Sequence, residues 1–335
     1  MSNTDHVWAL VLAAGNGSRL RALTTKPCGT AVPKQFCSLH GHRSLLEDAI
    51  VRASHIVPPE RICTIVAQQH EQWWSQTAAL NSLPTKNLIV QPRNRGTAIG
   101  ILYSLLHILA KDPKAKVLLL PADHYVRDEG IMRQALTAAL DRLEQEPKNP
   151  VLLGMEPDEI DPELGYILPA QADREGGYAV TRFVEKPSYS SAVEIVRAGG
   201  LWNAFIIAAS AQALLDLFLP RYSLMVMEMQ VIVKRHLNSA FPAGGWPAIV
   251  ELYERLPDLD FSRDILEGNE QRLRVVKVPP CGWSDLGTPT RVRETLRRSA
   301  PESRPEPRFS ASSASLSLAA QHASLERRAS VGAAI

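Results

Sequence analysis

Val7-Trp8-Ala9-Leu10-Val11-Leu12-Ala13-Ala14-Gly15-Asn16-Gly17-Ser18-Arg19-Leu20 is the stretch on which the fold turns. Its opening run, Val7–Ala13, is apolar without a break and rich in branched side chains, which predicts a strand buried on both faces. Gly15 and Gly17 follow at once. Glycines just past a strand let the backbone approach a phosphate closely and aim N–H groups at it. Leu20 stands where the dinucleotide-binding fingerprint has its third glycine, and no Gly-Lys-Ser/Thr follows, so neither that fingerprint nor a Walker A loop is present. A dehydrogenase is thereby disfavoured.

Outward from this stretch, short apolar runs alternate with longer amphipathic ones. Arg61–Ala67, Asn87–Gln91, Val117–Leu120 and Val151–Gly154 read as further buried strands, and Ser44–Ser54, His70–Leu80, Thr97–Lys111 and Gly130–Glu146 as helices. The alternation predicts an α/β fold, an open, mainly parallel twisted sheet with helices on both faces. In such sheets ligands bind beyond the carboxyl ends of the strands, so the residues just after each apolar run carry the chemistry. Past Gly154, strands are expected at Gly165–Pro169, Tyr178–Glu185, Leu201–Ala208 and Leu273–Val278. Helices are expected at Ala192–Ala198, over much of the chain to Arg255, and from Thr290. Residues 1–298 read as one domain in two halves, about 1–150 and about 151–298. Residues 299–335, rich in Ser, Ala, Pro and Arg, read as a mostly disordered tail.

Composition narrows the function classes. The 335 residues are 45% apolar and 21% charged, enough for a sizeable core, and Lys+Arg exceed Asp+Glu only by 37 to 35. Such a near-neutral balance gives no field for nucleic acid. No apolar run is long enough to cross a bilayer. Cys28, Cys37, Cys63 and Cys281 form no CxxC pair, and no Lys or Arg precedes Val7–Ala14 as a secretory signal requires. A cytoplasmic location is the expectation. One region departs from neutrality: between Asp5 and Glu47 there is no acidic residue, while Arg19, Arg21, Lys26, Lys34 and Arg43 are basic. A cation about 4 Å from a phosphate oxygen contributes roughly 4 kcal/mol at an effective dielectric near 20, before desolvation. The local field suits a polyanion such as a nucleoside triphosphate.

The opening stretch, followed by Pro33-Lys34-Gln35-Phe36, resembles the first motif of sugar-phosphate nucleotidyltransferases and is most similar to mannose-1-phosphate guanylyltransferases. Gln91-Pro92-Arg93-Asn94-Arg95-Gly96-Thr97-Ala98, Pro121-Ala122-Asp123-His124, Val184-Glu185-Lys186-Pro187, Trp202-Asn203 and Trp283-Ser284-Asp285-Leu286-Gly287 follow in the family's order, covering about residues 7–298. The resemblance implies that a sugar 1-phosphate oxygen attacks the α-phosphorus of an NTP and pyrophosphate leaves, best matched here by GTP and mannose 1-phosphate giving GDP-mannose. It implies Arg19 and Lys34 as catalytic cations. Nucleotide contacts would come from Leu12, Ala13, Ala14, Gly15, Gly17, Ser18, Gln91, Gly96 and Thr97, and sugar-phosphate contacts from Gly165, Glu185, Lys186 and Asn203. Asp123 and Asp285, two carboxylates from separate segments, suit one Mg²⁺ that keeps waters and phosphate oxygens as its other ligands.

Departures from the family pattern leave alternatives open. Ala14 replaces a second glycine, Gly165-Tyr166-Ile167 shortens a Gly-Tyr-Gly-Tyr-Ile run, and Ala204-Phe205 stands where a small residue and glycine are usual. Arg21–Val32 lengthens the loop between Arg19 and Lys34 as a lid would. A UTP-, ATP- or dTTP-dependent glucose-1-phosphate nucleotidyltransferase is the nearest alternative, and a non-catalytic sugar-nucleotide sensor the next. The chain is expected to lack the fused isomerase domain of some bacterial relatives and to be a homo-oligomer if it assembles at all.

Overall fold

The computed structural model describes residues 5–17, 20–25, 29–39, 41–172, 177–237 and 247–299. Ser18, Arg19 and the expected tail beyond Ser299 lie outside the described residues.

β1 (Val7–Ala13) is the strand the opening stretch predicts. Its odd-numbered residues Val7, Ala9, Val11 and Ala13 enter one core cluster, while Trp8 and Leu10 enter a second on the opposite face. β4 (Lys116–Pro121) and β5 (Val151–Met155) divide their side chains in the same way. The period-two alternation of a strand therefore feeds two cores at once, each fully buried side chain such as Leu10 contributing about 1.5–3 kcal/mol. Helices Leu45–Ser54 and Glu129–Gln145 cover one face, and Gly96–Lys111 and Ala211–Leu237 the other. The first starts on a capping box: the Ser44 hydroxyl accepts from the Glu47 N–H and the Glu47 carboxylate accepts from the Ser44 N–H.

β2 (Ile62–Ala67) and β3 (Leu88–Gln91) extend β1 in parallel, and β4 joins its other edge in parallel. This half matches the expected open sheet. The other half does not. β6 (Gly165–Ala172) and β7 (Tyr178–Glu185) form an antiparallel hairpin, and β8 (Leu201–Ser210) lies antiparallel to β4. β9 (Arg274–Val278) pairs with both β5 and β7. The order is β3-β2-β1-β4-β8-β5-β9-β7-β6 with β6 returning to β8, so five strands close into a ring. The expected open, mainly parallel sheet is thus corrected: among the described residues, five strand pairings are antiparallel and four parallel. The physical reason is the length of β8. Its ten residues let β4 pair near its end, at Ile207–Ser210, while β6 pairs near its start, at Leu201 and Trp202. Register shifts in the β5–β8 and β6–β7 pairs supply the bend that closure needs.

Two smaller expectations also change. His70–Leu80 is not one helix but two turns, Glu71–Trp74 and Ala78–Asn81. Within Arg21–Val32 the described part forms a single turn, Arg21–Thr24, and an antiparallel bridge between Thr25 and Ala31. No helix among the described residues is long and apolar enough to cross a membrane.

Candidate active site

The strand ends converge on a cleft of about 350 Å³. Its wall includes Leu12, Ala14, Gly15, Gln91, Gly96, Thr97, Asp123, Gly165, Glu185, Lys186, Asn203 and Asp285. Most of the residues singled out from the sequence therefore meet in one place. Ala13 and Gly17 belong to its foundations instead, and Ser18 and Arg19 lie outside the described residues.

The loop after β1 is shaped by the Pro33-Lys34-Gln35-Phe36 turn. Gln35 Nε2 donates to the carbonyls of Ala13 (2.8 Å) and Gly15 (2.9 Å), tying the turn to the end of β1. Gly17 has φ +58°, and a Cβ there would stand 2.9 Å from the Lys34 backbone nitrogen. Only glycine lets the loop turn and lie against Lys34.

Lys34 is the hinge of the site. Its side chain is 6% exposed and its Nζ lies 3.0 Å from Asp123 Oδ2. The same Nζ donates to the Asp285 carbonyl at 2.6 Å. Asp123 follows β4, and its 38% exposed carboxylate opens on the cleft. Asp285 arrives from the far end of the chain because Tyr125 and Ser284 exchange two backbone hydrogen bonds of 2.9 Å. That bridge brings the segments of the two aspartates side by side. Between them, Trp283 Nε1 donates to His124 Nδ1 at 3.3 Å. Burial pushes the His124 pKa down to about 4, so the ring is neutral near pH 7 and accepts this bond.

Asp285 is almost wholly buried, and its charge is answered from behind. Arg291 Nη1 lies 3.5 Å from Asp285 Oδ1, while its Nε and Nη2 reach Asp161 and Glu159, each at 2.9 Å. The guanidinium also lies 4.6 Å from the centre of the Trp202 ring. One buried arginine thus links the closing helix Pro289–Ser299, the Asp285 turn and the loop ahead of β6. Asp123 and Asp285 both line the cleft, a pair of oxygen donors of the kind that suits a hard cation retaining waters, and among the described residues no group of three or more such ligands is gathered.

The opposite end begins at Gln91. Its side chain is buried beside the cleft, and Oε1 has no hydrogen-bond partner. Gly96 has φ +79° and passes so close to Leu259 that a Cβ would meet its carbonyl oxygen at 2.1 Å. The Leu259 carbonyl accepts from the Ala98 N–H (3.0 Å), and Thr97 Oγ1 accepts from the Phe261 N–H (2.8 Å). These bonds pin Asp260 and Ser262 to the start of the helix Gly96–Lys111.

Around the ring, Glu185 lies at the end of β7. Burial chiefly, with repulsion from Asp260, raises its pKa to about 7, against the opposing pull of Lys186 and a bond from Ser262. Asn203 Oδ1 accepts from the Phe205 N–H at 3.0 Å, and its Nδ2 lies 3.5 Å from Ser262 Oγ. Sequence reasoning singled out Phe205 only as a departure from the family pattern, and it missed Gln35 as a tether along with Asp260, Ser262 and Arg291. Gln35 lies inside a quoted motif and was within reach. Asp260 and Ser262 carry no local signal, since a bridge to a helix 164 residues earlier in the chain places them.

With this geometry in place, the likenesses to known proteins acquire meaning. The family model for nucleotidyl transferases matches residues 8–299. The alginate biosynthesis protein AlgA of Pseudomonas putida is 29% identical over 284 residues, 83% of this chain and 56% of that protein. A mannose-1-phosphate guanylyltransferase of Salmonella muenchen is 28% identical over 298 residues, 83% of this chain and 57% of that protein. The chain thus spans little more than half the length of these relatives. A Thermus thermophilus crystal structure described as a mannose-1-phosphate geranyltransferase superimposes with a TM-score of 0.67 at 30% identity, over 84% of this chain and 76% of that one. From its first strand to its closing helix, the chain belongs to the nucleotidyl transferase family.

Proposed function

We propose that this chain is a Mg²⁺-dependent sugar-1-phosphate nucleotidyltransferase that joins mannose 1-phosphate to GTP, forming GDP-mannose and releasing pyrophosphate. The observation that carries this reading is the contact of buried Lys34 with both Asp123 and the Asp285 backbone, two residues that line one cleft. A buried cation between two segments that also bear carboxylates is an arrangement for gathering phosphoryl oxygens and a divalent ion. The similarity to a mannose-1-phosphate guanylyltransferase supports the choice of sugar and base.

In the reaction, an oxygen of the sugar phosphate forms a bond to the α-phosphorus as the bond from that phosphorus to the bridging oxygen of pyrophosphate breaks. No covalent enzyme intermediate is required, so catalysis is positioning plus charge stabilisation. The turn at Ala14–Gly17 offers backbone N–H groups to the triphosphate, and Arg19 supplies a fork for its outer phosphates. Lys34 shifts from Asp123 toward the reacting phosphates. Gln91 Oε1 accepts from the base. Glu185 and Asn203 hold sugar hydroxyls, with Lys186 on the sugar phosphate and Gly165 allowing close approach. Asp123 and Asp285 would hold Mg²⁺, which when bound draws charge from the phosphates. Nucleic acid and membrane play no part in this reading.

Purified protein supplied with Mg²⁺, each of GTP, UTP, ATP and dTTP, and either mannose or glucose 1-phosphate tests it through pyrophosphate release. GTP with mannose 1-phosphate is expected to be fastest. Release with UTP and glucose 1-phosphate alone would overturn the substrate assignment, and no release with any pair would make the chain a sensor.

A further inference from the structure

Among the described residues, four that are not glycine have left-handed backbone: His6, Lys186, Phe205 and Leu286. Three of them belong to the cleft or adjoin it, since Lys186 and Phe205 line it and Leu286 follows Asp285. Left-handed backbone is unfavourable for a side chain as large as phenylalanine, and such strain persists where the surroundings over-determine it. At Phe205 (φ +55°) the determinants are visible. Asn203 Oδ1 accepts from the Phe205 N–H at 3.0 Å, closing a tight turn in mid-strand, and the Phe205 ring meets Phe261 edge-on with centroids 6.1 Å apart. Glycine would take this backbone without cost. The strain therefore serves the side chain, which is half-buried and forms part of the cleft wall.

The neighbours of that ring define what it faces. Glu185, Asn203 and Ser262 line the same part of the cleft. Polar groups beside one aromatic wall match a pyranose, which offers hydroxyls along its edge and C–H groups on its face. We propose that Phe205 is a specificity-determining wall of the sugar subsite. It packs against the C–H face of a plain hexose 1-phosphate and occupies the space that an N-acyl substituent would need. This rests on the transferase reading, whose sugar end it makes specific.

The test compares the wild type with Phe205→Gly and Phe205→Leu. Mannose 1-phosphate and N-acetylglucosamine 1-phosphate are titrated calorimetrically, and pyrophosphate release is followed separately. Wild type is expected to favour the plain hexose by about 100-fold, and Phe205→Gly to reduce that ratio at least tenfold, in the range that lost apolar contacts command. The KM for NTP should stay within about twofold, the behaviour of a residue that leaves nucleotide binding alone. Phe205→Leu, which keeps apolar bulk, should fall between. Because glycine relaxes the backbone, the glycine variant should melt no lower than the leucine one. An unchanged ratio in both variants overturns the proposal, as does a wild type that binds neither sugar phosphate. Selective binding lost in Phe205→Gly, without pyrophosphate release from any enzyme, would uphold the wall and sink the transferase reading instead.

Discussion

The parallel half of the sheet and the five-stranded ring each supply one wall of the cleft, and they hold their functional groups by different means. On the parallel side the site is made by short-range construction. β1 ends, glycines turn, and a side chain only eighteen residues beyond Gly17, Gln35, ties the loop in place. On the ring side the groups come from β6, β7, β8 and the Leu259–Ser262 segment. They are oriented by strained backbone at Lys186 and Phe205 and by contacts between distant parts of the chain. Under the proposed reading, the parallel side would meet the NTP with backbone groups, and the ring side would meet the sugar with side chains.

The largest expected effect lies where the two walls meet. Asp123→Asn keeps the shape and an oxygen for Lys34 but removes charge from the cleft, and turnover should fall by about 10²–10³-fold. Because that carboxylate is partly exposed, unfolding free energy should change by only about 1 kcal/mol, the scale of one ordinary hydrogen bond. Steady-state kinetics beside denaturant melts checks the contrast. Losses in step would make the Lys34–Asp123 pair a structural tie and erase the distinction between foundation and wall.

Arg291 carries the next effect, on stability. Arg291→Met leaves buried Asp285 and half-buried Asp161 without their shared cation, which should cost about 3–5 kcal/mol in a denaturant titration. Arg291→Lys should recover only part, because an ammonium cannot replace a guanidinium fork aimed at separate carboxylates. A methionine variant as stable as the wild type would show that the ring side stands without this clamp.

The smallest effect is one of pH. The folded-state pKa of Glu185, about 7, lies above its ordinary value of 4.5, so the folded state binds more protons between those limits. Stability should therefore decline as pH rises through that window, and Glu185→Gln should flatten the decline. The difference between the two melting curves against pH measures it. Parallel curves would mean that the ring side does not desolvate this carboxylate.

Much of the parallel half was legible in the sequence because a buried strand announces itself by an unbroken apolar run and the turn after it by closely spaced glycines. Val7–Ala13 and Lys116–Pro121 match their expected strands to within a residue, and Asp123 sits beyond a strand end as its place after Ala122 implied. The five-stranded ring was not legible. β6, β7 and β8 show the patterning of strands, but nothing local says which partner each takes or that β8 is long enough to serve β4 and β6 on the same edge. Arg291 was invisible for a similar reason: on a helix its sequence neighbours say nothing of Asp161, which lies 130 residues earlier.

By itself, then, the amino-acid order determined the elements, the two-sided core, the basic and acid-free opening, and a list of strand-end residues fit for phosphate chemistry. These follow from interactions between residues close in the chain, whose geometry backbone periodicity dictates. The tertiary structure alone decided that the second half closes on itself, that Lys34 touches both aspartate segments, and that Phe205 is held against its conformational preference on the cleft wall. Those outcomes depend on long-range pairing and burial, where the free energy belongs to contacts that no single stretch of sequence contains.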